Sequence, residues 1–91
     1  MNPIPPEESL IEYPCDFPIK VMGAMQENFA QAIVAVVQQH DPEFTAEKME
    51  MRPSSKGNYL SLTVTVRATN REQLDNLYRA LSSHEMVKLV L

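Results

Sequence analysis

At 91 residues, 44% of them apolar, the chain has room for one domain around one modest core. Cys15 is its single cysteine, which excludes an internal disulfide and gives no support to an oxidising compartment. A net charge of −4 argues against a broad duplex nucleic-acid surface, though not against a local concentration of positive charge.

In chain order, residues 1–15 read as a proline-rich, partly extended arm, with Pro3, Pro5, Pro6 and Pro14 among the acids Glu7, Glu8 and Glu12. Leu10, Ile11 and Tyr13 are a small apolar group expected to tie it down. No basic stretch followed by an apolar core opens the chain, and the longest wholly apolar run is Ala32 to Val37. The expectation is a cytoplasmic protein without a membrane partner. Residues 16–91 read as a single domain.

Phe17 to Met22 alternates as a first strand, with Phe17, Ile19 and Val21 inward and Pro18, Lys20 and Met22 outward. Gly23 ends it. Met25, Phe29, Ile33, Val36 and Val37 then fall on one stripe of a helix, which stops at Asp41-Pro42 because the residue before proline is pushed out of the α region. Glu47 to Arg52 alternates again, with Met49 and Met51 inward and Lys48, Glu50 and Arg52 outward; its charges and Pro53 suit an edge strand.

The turn Pro53-Ser54-Ser55-Lys56-Gly57-Asn58 leads into the clearest strand, Tyr59 to Ala68. Gly57 supplies positive φ there. Leu60, Leu62, Val64, Val66 and Ala68 share one face, while Tyr59, Ser61, Thr63, Thr65 and Arg67 share the other. Thr69 or Asn70 caps a second helix, with Glu72 or Gln73 completing a capping box and Leu74, Leu77, Tyr78 and Leu81 as its stripe. Met86 to Leu91 closes the chain as a strand with Val87, Leu89 and Leu91 inward. The βαββαβ order predicts an α+β ferredoxin-like sandwich: a four-stranded antiparallel sheet, both helices on one face, first and third strands central.

Those parities put Lys20, Lys48, Arg52, Arg67 and Lys88 on the open face of the sheet, with Met22, Met86 and Val90 as an apolar patch among them. Such a patch suits a protein partner or a homodimer. Single-stranded RNA would use the same cations, but Tyr59 is the only aromatic there, and sheets that read RNA stack bases on central aromatics. Ser54, Ser55, Lys56, Gly57 and Asn58 offer hydroxyls, an ammonium and backbone donors that suit a small anion, although the run lacks the glycines and following helix of a phosphate loop. His40 and His84 stand alone, Cys15 lies beside an acid, and no carboxylates are paired by spacing; neither a metal, a cofactor nor an enzyme is expected.

Lys20-Val21-Met22-Gly23, Pro53 to Tyr59, Glu72-Gln73 with Leu77-Tyr78, and Val90-Leu91 together resemble the YbeD family of small bacterial proteins, from Tyr13 onward. The resemblance implies a binding or regulatory module similar to ACT domains, with a connection to lipoate metabolism. It also implies effector contact near Met22 and Gly23, where no Asp-Arg-Pro-Gly-like run follows to hold an amino acid. Function is expected to act through a partner protein or small anionic ligand, with RNA as the alternative.

Overall fold

Two ten-residue strands, β1 (Cys15–Ala24) and β3 (Tyr59–Ala68), pair antiparallel from Cys15 opposite Ala68 to Ala24 opposite Tyr59. The computed structural model describes residues 13–91. β2 (Met49–Pro53) flanks β3, and β4 (Val87–Val90) flanks β1, giving the order β2-β3-β1-β4. The helices α1 (Phe29–His40) and α2 (Arg71–Ser82) fill the two crossovers. This is the expected ferredoxin-like sandwich with its long strands central. Residues 1–12 of the expected arm lie outside the described residues, and Cys15 is already the first residue of β1, packed half-buried against the core.

Alternation explains why the sheet has a covered side. Ile19, Val21, Leu62, Val64 and Val66 are all fully buried against Phe29, Ile33 and Val37 of α1 and Leu74, Leu77 and Leu81 of α2. Each such side chain contributes roughly 1.5–3 kcal/mol of transfer free energy. Burial also pushes the Tyr78 phenol above its usual range.

Polar groups hold the ends of these elements. α1 stops at His40, and the buried Asp41 that follows uses its carboxylate to accept from the backbone N–H groups of Arg67 at 2.9 Å and Glu43 at 3.3 Å. β2 pairs only as far as Val64, so beyond it Asp41 supplies the acceptor that a longer neighbouring strand would give. At the start of α2, the Asn70 side chain accepts from the Gln73 N–H at 2.8 Å. Gln73 reaches back one residue further than an ordinary capping box, accepting from the Thr69 N–H, and its amide donates to the carbonyls of His40 at 2.7 Å and Arg67 at 3.1 Å.

Four local expectations need correction. α1 begins at Phe29, so Met25 lies in the preceding turn, exposed, with its N–H on the Asn58 carbonyl at 2.9 Å. A single 3-10 turn, Ala46–Lys48, removes Glu47 and Lys48 from β2. Met51 pairs with Leu62 but is 60% exposed, because it lines an open cleft beside the start of α1 instead of meeting the core.

The largest correction concerns β4. Met22 pairs with Leu89 but Gly23 pairs with Val87, so Lys88 is an extra residue in the ladder. Such a bulge reverses the alternation on either side of it. Val87 and Val90 pack against the core with Met86, while Leu89 and Leu91 are 48% and 62% exposed. The expected outward patch of Met22, Met86 and Val90 is therefore Met22, Leu89 and Leu91. Gly23 sits where β4 and α1 close in: an added Cβ would collide with the Met86 carbonyl and lie 2.7 Å from the Phe29 ring.

Candidate functional site

The open face can be laid out from strand pairing. One row across the sheet runs Arg52, Ser61, Met22, Leu89 from β2 to β4. The next holds Glu50, Thr63 and Lys20, continued by Leu91, which exchanges backbone hydrogen bonds with Lys20 at 2.8 and 3.2 Å. On the other side of the first row, Tyr59 pairs with Ala24. Among the described residues, no helix packs on this face.

A shallow groove of about 360 Å3 runs over these rows and is lined by Lys20, Met22, Arg52, Pro53, Ser54, Tyr59, Ser61 and Leu91. It joins two regions that the sequence presents separately, the hairpin turn and the sheet face. A second hollow beside it is lined by Lys20, Glu50, Met51, Arg52, Ser61 and Thr63.

Ser54 builds the hairpin. Its N–H donates to the Tyr59 carbonyl at 2.9 Å, its carbonyl accepts from Gly57 at 3.0 Å, and its hydroxyl accepts from the Tyr59 N–H at 3.1 Å. Gly57 takes a φ of 74°, as the turn chemistry requires. Ser55 and Lys56 are exposed at the tip and outside the groove lining. Asn58 contributes its carbonyl to Met25, tying the tip to the turn before α1.

The five expected cations separate. Lys20 and Arg52 flank the groove and have no ion-pair partner among the described residues. Arg67 lies two rows further along β3, engaged with Asp16 at 3.3 Å in an exposed pair that adds less than about 1 kcal/mol. Lys48 stands in the 3-10 turn before β2, and Lys88 is the bulge residue. Met22 lines the groove; Gly23 is buried on the helix side, where it admits Phe29. Sequence reasoning missed Leu91 and Leu89, because alternation carries no sign of a bulge.

Among the described residues no cluster of three His, Cys, Asp or Glu side chains could hold a metal. His40 Nδ1 lies 3.1 Å from the Val36 carbonyl, and His84 Nδ1 accepts from the Met86 N–H at 3.2 Å. No helix among the described residues is long and apolar enough to cross a membrane.

A family described as a protein of unknown function, DUF493, matches residues 8–91. The chain belongs to that family. Relatives of this DUF493 chain include the UPF0250 protein RSc0326 of Ralstonia nicotianae, 74% identical over 96% of this chain and 90% of its own length. A UPF0250 protein of Janthinobacterium sp. (strain Marseille) is 69% identical over the full length of both. These bear out the YbeD-like resemblance. Among solved structures, the solution structure of protein HP0495 from H. pylori superposes with a TM-score of 0.74 at 16% identity, covering 100% of this chain and 98% of that one. The ACT domain from GTP pyrophosphokinase of Chlorobium tepidum gives 0.57 at 18% identity, over 85% and 97%. At such identities the likeness establishes an ACT-like fold for the DUF493 chain and nothing further.

Proposed function

We propose that this protein is a non-enzymatic binding or regulatory module that engages an anionic group, on a partner protein or a small ligand, over the groove between the hairpin and the open sheet face. One observation supports this most: Lys20 and Arg52 flank a groove that no described helix covers, and neither forms an ion pair among the described residues, although Glu50 shares the adjoining hollow with them. Two unpaired cations beside exposed apolar side chains favour an anion with more than charge to offer. Nothing in the matched relatives supports the lipoate connection.

The test is affinity capture from bacterial extract by wild type and by the Lys20→Glu/Arg52→Glu variant, with native mass spectrometry of each bait for bound small molecules. A species held by wild type and lost from the variant is expected; identical retained sets defeat the proposal. A second reading, single-stranded RNA, uses the same cations with Tyr59, 51% exposed, as one stacking platform. A salt-dependent mobility shift with oligo-RNA near physiological ionic strength would favour it, and its absence removes it.

A further inference from the structure

The open face carries a diagonal division. Tyr59 on β3, Met22 on β1, and Leu89 on β4 with Leu91 just beyond its end form an apolar stripe that steps one strand sideways for each two residues along the sheet. Arg52, Ser61, Lys20 and Thr63 all lie on the β2 side of that stripe. With strands about 4.8 Å apart and about 3.4 Å per residue, the stripe from Tyr59 to Leu91 is roughly 17 Å long. That is about eleven residues, or three turns, of α-helix.

We infer that this stripe is the docking site for an acidic amphipathic helix of a partner protein, its apolar side on Tyr59, Met22, Leu89 and Leu91 and its carboxylates over Lys20 and Arg52. The inference rests on the binding-module reading above and names the kind of partner. Backbone chemistry selects a helix. Within paired strands the N–H and C=O groups of the sheet are used along the ladder, so its face offers side chains alone. A ligand chain lying there must satisfy its own backbone, as α1 and α2 do on the opposite face. Charge selects an acidic one. A second copy placed face to face would bring the Lys20 and Arg52 clusters together with little acid to match them, since Glu50 is the one acid among the described residues lining either hollow. A free small anion would leave most of its surface in water on a groove this shallow, where small-ligand sites bury 70–90% or more.

The test uses a lactam-bridged helical peptide of about 14 residues, long enough to cover the stripe, with leucines at i, i+3, i+4 and i+7 and glutamates along one flank. Controls replace glutamate by lysine, leucine by serine, or insert prolines to hold the same composition extended. Amide and methyl NMR shifts of the full chain map the site, and titration gives the affinity. The acidic helix is expected to shift Met22, Tyr59, Leu89 and Leu91 and to bind at least tenfold more tightly than each control. Lys20→Glu/Arg52→Glu should weaken it at least tenfold, and Glu50→Lys should strengthen it. Equal binding by the extended acidic peptide overturns the helix while leaving the anion-binding reading intact. Shifts confined to the α1 and α2 side, or preference for the lysine peptide, overturn both. Self-association of the free protein through the same methyls, measured by sedimentation, overturns the inference in favour of a second copy.

Discussion

The two faces of this sheet are made from the same residues of β1 and β3 taken alternately, and they behave as different materials. On the helix side, Ile19, Val21, Leu62, Val64 and Val66 are wholly enclosed. On the other side the neighbouring positions Lys20, Met22, Ser61, Thr63 and Thr65 mix charge, sulfur and hydroxyl on a face that no helix covers among the described residues. Stability is concentrated on the first face. The second is free to vary in chemistry because little folding energy depends on it.

Substitutions can break that contrast, beginning with the enclosed face. Leu62→Ala should cost about 3–4 kcal/mol in urea unfolding, because a fully buried central-strand side chain leaves a cavity that its neighbours only partly fill. Gly23→Ala is expected to lose about 2–3 kcal/mol, read as a lowered thermal midpoint, since the new methyl meets the Met86 carbonyl and the Phe29 ring and one of these must move. Asp41→Ala removes the acceptor for the Arg67 N–H and should cost about 2 kcal/mol; hydrogen exchange at Arg67 should accelerate selectively, and unchanged exchange would count against the capping role.

Three substitutions on the open side sharpen the comparison. Ser54→Ala should lose about 1 kcal/mol from the hydroxyl that accepts from the Tyr59 N–H, whereas Ser55→Ala should be silent in the same calorimetric scan. Leu91→Ser should change stability by no more than about 0.5 kcal/mol while it removes an apolar wall of the groove; a drop of several kcal/mol would mean that Leu91 belongs to the core.

Alternation along β1 and β3 made most of this fold legible in the amino-acid order. Leu60 to Ala68 and Phe17 to Val21 sort onto the two faces as their parity predicts, and the proline after Asp41 marks the end of α1. What escaped was non-periodic. Nothing in Met86 to Leu91 announces that Lys88 drops out of the ladder, and Met25 fits a helical stripe although the helix forms four residues later. The site was legible in pieces. Lys20, Arg52 and Tyr59 could be placed on one face, but that the Ser54 hydroxyl is used in the turn, and that Arg67 is engaged with Asp16, depends on cross-strand neighbours brought together by folding.

The bulge at Lys88 has an effect out of proportion to its size. With that residue set aside, Val87, Leu89, Val90 and Leu91 alternate regularly, so one lysine keeps both valines with the helices and turns both leucines toward the surroundings. Deleting Lys88 would leave those faces as they are in an unbroken ladder, whereas drawing Lys88 into the pairing would exchange interior for exterior along the whole terminal edge.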